Sequence, residues 1–233
     1  MTESVASSSS ASRTLRALAR LLAYPDTESL AQWPALLTAM RSEAALGAAR
    51  LAQLEAFVGE IARQDPLDAE ADYVQWFDRG RGTSLYLFEH VHGDSRARGP
   101  AMIDLTRSYE QSGLYLAEGE MPDHLPVVLE FASSRPGDEA AAFLAEIAHL
   151  VNAIGCALTR RESGYAAVLG AILDLAGTVE SDVPIAAEEP LDAAWSEPVA
   201  FDGCGPVAGA AGQDSRDPLR RHHQNRTRQE ASA

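Results

Sequence analysis

The chain of 233 residues has no lysine and only two cysteines, Cys156 and Cys204. Without lysine, the glycine-rich run Gly80-Arg81-Gly82-Thr83-Ser84 is not a phosphate loop, whose G-x-x-x-x-G-K-[ST] pattern ends on that residue. It reads instead as a tight turn between helices. Two isolated cysteines make no disulfide framework and fit a reducing cytoplasm. Aromatic residues are scarce, at 6%. No uninterrupted apolar run approaches the ~18 residues that span a bilayer. The opening "MTESVASSSSAS" lacks the basic start and apolar stretch of a signal peptide. Alternating strand patterns are essentially absent. Positive charge is also short: 19 arginines face 34 acids, for a formal charge of −15. Such a field repels nucleic acid and anionic membranes and attracts basic partners.

What the chain does have is amphipathic helix. Leu15, Leu18, Leu21 and Leu22 share one face, and Pro25 stops the run. Further helical patterns cover about 27–47, with Pro34 inside, and about 48–63. In "DPLDAEADYVQWF" Asp65 is placed to cap and Pro66 suits a first turn. Beyond the Arg/Gly turn, Met102, Leu105, Tyr109 and Ile103 mark one helix, and Gly113 fits its end. "MPDHLPVVLEFASS" begins another helix near Asp123. Two long helices are expected at about 138–160 and 162–178. The expectation is an all-α fold. A single helical-bundle domain of about seven to nine helices spans 13–180, between disordered segments at 1–12 and 181–233.

The chemistry-bearing residues are few. His90, His92 and Asp94 lie close in sequence, but a closed metal site needs about four ordered ligands. No G-x-S-x-G nucleophile elbow occurs near Ser133 and Ser134. In Pro122-Asp123-His124 the proline shapes a turn and the aspartate suits a helix cap, which leaves the imidazole unexplained. Tyr73, Trp76, Phe77, Leu85, Tyr86, Leu87 and Phe88 are more large apolar groups than one helical stripe buries. The surplus is suited to line a groove for an amphipathic peptide, with Asp78, Glu89, Asp94, Asp123 and Glu130 at its rim.

"DYVQWFDRGRGTSLYLFEHVHGDSRARGPAM" followed by "MPDHLPVVLEFAS" resembles the nitrate reductase molybdenum cofactor assembly chaperones, the NarJ/NarW family within the wider TorD/DmsD group. The resemblance covers roughly 13–180 and is strongest at 73–99 and 121–133. It implies an all-helical cytoplasmic protein that is not an enzyme, with no catalytic residue, metal or cofactor of its own. It implies binding to the N-terminal leader of the apo form of the nitrate reductase α subunit. The chaperone would support molybdenum cofactor and iron–sulfur insertion, and delay membrane docking. Cofactor delivery proteins are further expected partners. Nucleic acid and stable membrane insertion are not expected. The expected peptide-binding residues are Tyr73, Phe77, Leu85, Tyr86, Phe88, His92, Asp94, Asp123 and His124. Three alternatives stay open: a chaperone for another twin-arginine molybdoenzyme, a small metal-dependent hydrolase using His90, His92, Asp94 and His124, and a direct carrier of molybdopterin, against which the negative charge argues.

Overall fold

Residues 11–93 and 95–182 are described by the computed structural model, and nine α-helices lie within them. The expected unstructured ends, 1–12 and 181–233, fall almost wholly outside the described residues. The first helix, α1 (Ser12–Leu21), is leucine-rich on more than one face. Leu15, Leu18, Leu21 and Leu22 are buried, and so are Ala17 and Ala19. A helix apolar on most sides belongs in the interior, and α1 packs against α2 (Thr27–Glu43), α7 (Leu125–Ser133) and α9 (Ala166–Leu175). Ala11 offers no cap. The Glu43 carboxylate, from the end of α2, accepts instead from the N–H groups of Arg13 (3.1 Å) and Thr14 (2.6 Å). A distant acid thus satisfies the free donors of a helix start.

Local signals set most of the other boundaries. Asp26 caps α2 by accepting from Ser29 N at 2.7 Å. Asp65 caps α4 (Pro66–Phe77) by accepting from Leu67 N at 2.9 Å, with Pro66 in the first turn as expected. Gly113 takes φ +80° just past α6 (Arg98–Gln111), also as expected. Two expected helices are shorter. The run at 27–47 stops at Glu43 because Ala44 turns left-handed at φ 54° and closes it. α3 (Ala48–Ile61) then starts afresh. The run at 162–178 contracts to α9, because Glu162 turns left-handed at φ 58° before it. Pro34 sits inside α2 without ending it.

The scarce aromatics are concentrated. Phe57 lies between Trp33 and Tyr165, and Tyr165 meets Phe77 and Tyr73 edge-on or tilted. α8 (Gly137–Arg160) is the longest helix at 24 residues, and by length and composition it could cross a membrane. That differs from the expectation drawn from uninterrupted runs. Alanines raise its average, while one stripe (Ala140, Leu144, Ala148, Val151, Ile154 and Leu158) packs inward and Glu146 and His149 face water. This is the pattern of an amphipathic helix packed along one stripe. Among the described residues the only β pairing is one isolated antiparallel bridge, Tyr86 to His124.

Candidate functional site

That bridge joins the segment after the Arg/Gly turn to the Pro-Asp-His run. Leu125 N donates to Leu85 O at 2.9 Å, and Leu87 N donates to Asp123 O at 3.0 Å. The Tyr86 and His124 rings then stack, with centroids 4.9 Å apart. Asp123 is wholly buried. Its Oδ2 accepts from Phe88 N at 3.1 Å, inside the first turn of α5 (Leu87–Val91). Asp123 therefore caps a helix, though not the one expected. α7 takes His124 at its cap position with no side-chain bond, and Pro126 in its first turn has no N–H to satisfy. The carboxylate is left to serve α5 across the bridge. Arg98 stands 3.9 Å from Asp123 Oδ2 and 3.7 Å from Glu89 Oε1. Tyr109 donates from its hydroxyl to Pro122 O at 2.8 Å. Three consecutive residues thus tie α5, α6 and α7 together.

Electrostatics follow from burial. Desolvation pushes the Asp123 carboxyl above the ordinary carboxylate range, against the Phe88 N–H and the Arg98 guanidinium. Among the described residues its Oδ1 has no hydrogen-bond partner. Burial pulls the His124 imidazole below its ordinary value, with Glu120 opposing. His124 is therefore neutral at pH 7.

The expected groove residues separate into four sets, one of them Asp123 alone, which is wholly buried and not at the rim as expected. Tyr73, Phe77 and Leu85 are core, not groove wall. The reason is spacing: Ala69, Tyr73 and Phe77 form the one inward stripe of α4, and Tyr73 donates from its hydroxyl to Leu22 O at 2.8 Å. Tyr86, Phe88, His92 and His124 are half-buried and share one region, with Phe88 edge-on to His92 at 5.2 Å. Asp94 lies outside the described residues, and the cap position of α6 is held by Ala97. Of the residues proposed as metal ligands, His90 bonds through Nε2 to Ser84 O at 2.9 Å. Among the described residues no three His, Cys, Asp or Glu side chains group to hold a metal.

Residues not expected complete the surface. His124, Val127 and Phe131 fall at i, i+3 and i+7 on the outer stripe of α7, opposite Leu125, Val128 and Leu129. Val127 and Phe131 wall a small cleft with Tyr109, Leu114, Tyr115 and Leu116, and Glu120 and Glu130 edge it. Its volume is about 40 Å³. Tyr115 is 78% exposed and Met121 40%. The signal for α7 was present in its sequence, since its apolar residues exceed one stripe. Leu114 to Leu116 lie in an irregular loop that no periodicity marks.

A protein-family model described as nitrate reductase delta subunit matches residues 41–169. The nitrate reductase molybdenum cofactor assembly chaperone NarJ of Escherichia coli K12 is 41% identical over 210 residues, covering 84% of this chain and 89% of that one. The chain belongs to the NarJ/NarW family of assembly chaperones. A protein named as the assembly chaperone NarW in the same organism is 36% identical over 78% of this chain and 80% of its own. A Bacillus subtilis protein named as NarJ is 32% identical over 69% and 86%. A crystal structure assigned to a redox enzyme maturation protein from Archaeoglobus fulgidus shares the fold, with a TM-score of 0.50 at 20% identity, covering 72% of this chain and 94% of that one. NarJ/NarW relatives are named as assembly chaperones and not as enzymes, which is the class expected from the sequence. For this NarJ/NarW member, the Pro122-Asp123-His124 run is the structural clasp beneath an apolar, acid-edged surface.

Proposed function

We propose that this chaperone binds the N-terminal leader of a nitrate reductase α subunit on the surface around His124. The observation that carries the reading is the cleft on the outer stripe of α7, apolar in its walls and edged by Glu120 and Glu130. His124, Val127 and Phe131 follow one another along α7, so the cleft and the Tyr86–His124 stack adjoin. A helical segment with an apolar stripe and basic residues would place one side chain in the cleft and its charges at the two glutamates. This is the helix-in-groove mode of recognition. The chain's formal charge of −15 favours the encounter with a basic segment. Covering ~400 Å² of apolar ligand surface supplies about 10 kcal/mol before association costs. Micromolar to nanomolar affinity is reachable without a cofactor.

Holding the leader keeps the apo-subunit from docking at the membrane while molybdenum cofactor and iron–sulfur clusters are inserted. The chaperone acts in the cytoplasm, meets cofactor delivery proteins there, and binds neither nucleic acid nor bilayer. A nitrate reductase client is favoured over another twin-arginine molybdoenzyme because the relatives are named for nitrate reductase. Calorimetric titration of the full chain with synthetic α-subunit leader tests the reading, with a leader of the dimethyl sulfoxide reductase type as competitor. Val127→Asp puts a charge into the cleft wall and is expected to weaken leader binding at least ten-fold, the scale of a central interface residue. Unchanged affinity in a folded Val127→Asp variant would place the leader elsewhere.

A further inference from the structure

α6 is poorly suited to its own place in the fold. Only Tyr109 of its fourteen residues is buried, and Ile103 is 54% exposed. Its cap residue, Ala97, makes no side-chain bond, and no acid lies in its first turn. Its first residue is instead a cation, Arg98, at the end of the helix dipole that repels positive charge. A sequence that works against its own helix start marks a constraint from elsewhere. The constraint is visible: Arg98 reaches back to Glu89 at 3.7 Å and to the buried Asp123 at 3.9 Å. The other end of α6 is held by the Tyr109 hydroxyl on Pro122 O. Both attachments lead to the same two residues, Pro122 and Asp123.

The ion pair is loose. Neither distance is that of a charge-assisted hydrogen bond, which is about 2.7–2.9 Å. Asp123 Oδ1 has no hydrogen-bond partner among the described residues, although the residue is wholly buried. A buried carboxylate with an idle oxygen is an open demand for a donor. We propose that Arg98 is an internal stand-in for a basic side chain of the bound peptide. In the free protein it stands at the edge of Asp123 and Glu89 and holds the start of α6 down. An incoming guanidinium takes over these carboxylates, with both Asp123 oxygens within its fork, and Arg98 swings out with the start of α6. The proposal rests on the leader-binding reading above and adds to Glu120 and Glu130 a second acidic contact for a further basic side chain of the leader.

The test is calorimetry on the full chain, wild type and Arg98→Gln, with two peptides. One is the α-subunit leader; the other is the same leader with its basic residues replaced by glutamine. A loose, part-exposed ion pair is a weak competitor, so Arg98→Gln is expected to bind the basic leader about two- to five-fold more tightly. The neutralised leader should bind both proteins alike. A merely structural Arg98 gives the opposite sign, because loss of the α6 anchor weakens binding. Weaker or unchanged binding of the basic leader overturns the proposal, as does an equal gain with both peptides. Should Arg98→Gln lose its helical circular dichroism, Arg98→Lys carries the test, with the same sign and a smaller gain, since an ammonium lacks the planar fork. Failure of the wild type to bind the basic leader overturns the leader reading itself, and this proposal with it.

Discussion

Replacing Asp123 separates two roles that its side chain combines. One is an acceptor for the Phe88 N–H at 3.1 Å; the other is a charge facing Arg98 at 3.9 Å. Asp123→Ala removes both. The Phe88 donor loses its partner in a buried place, which costs about 1–3 kcal/mol. The loose pair with Arg98 adds at most about 1 kcal/mol. Asp123→Ala should therefore destabilise by about 1–4 kcal/mol at pH 7. Asp123→Asn keeps an acceptor oxygen and removes a charge that burial penalises, so it should stay within about 1 kcal/mol of wild type. The pH dependence has a definite sign. Burial raises the folded-state pKa above the unfolded value. Between the two values the native protein holds more protons than the unfolded chain, so stability falls as pH rises through that window. The Asp123 contribution is fully present below the unfolded pKa and lost above the folded one. Wild type should therefore gain on Asp123→Asn as pH falls from 7 toward 4. Urea denaturation of all three proteins between pH 4 and 8, followed by far-UV circular dichroism, measures both effects. Asp123→Asn as unstable as Asp123→Ala at pH 7 would refute the assignment, since the charge and not the acceptor would then hold the clasp.

Glu43→Ala should cost about 2 kcal/mol by uncapping the buried α1. Burial raises the Glu43 pKa, but the hydrogen bonds from Thr14 and Arg13 more than reverse this, so it is lowered on balance. The stability it adds is present above the unfolded pKa and lost as pH falls through the folded one, so urea midpoints of wild type and Glu43→Ala should converge in acid. For His124, which burial holds neutral, leader affinity should be flat from pH 7 to 8 and change only below the ordinary imidazole range. His124→Phe should keep the stack on Tyr86 and abolish that change in calorimetry. Gly164→Ala should lower the thermal midpoint, at a cost of about 1–3 kcal/mol, because its Cβ would stand 2.7 Å from Phe57 Cδ2 in the aromatic cluster.

Helix identity was legible in the chain because it depends on near neighbours. The leucine stripe of α1, the Asp65-Pro66 start of α4 and the glycine after α6 are local signals, and each appears where its spacing puts it. Boundaries were less legible where a non-glycine residue turns left-handed, as Ala44 and Glu162 do, since neither residue type marks such a turn. The Pro122-Asp123-His124 run was visible as a motif, but the object of its cap was not. Asp123 serves Phe88, 35 residues earlier, and that pairing exists only after the Tyr86–His124 bridge has formed.

The sequence by itself determined an acidic, all-helical chain, its family, and the two blocks that meet at the site, because composition, periodicity and short motifs act over a few residues. Only the tertiary structure decided which of the eight expected residues among those described face water. Tyr73, Phe77 and Leu85 go to the core, while Val127, Phe131 and Tyr115 line the outer surface. Burial is a property of what packs against a side chain, and the partners of α4, α6 and α7 come from distant parts of the chain.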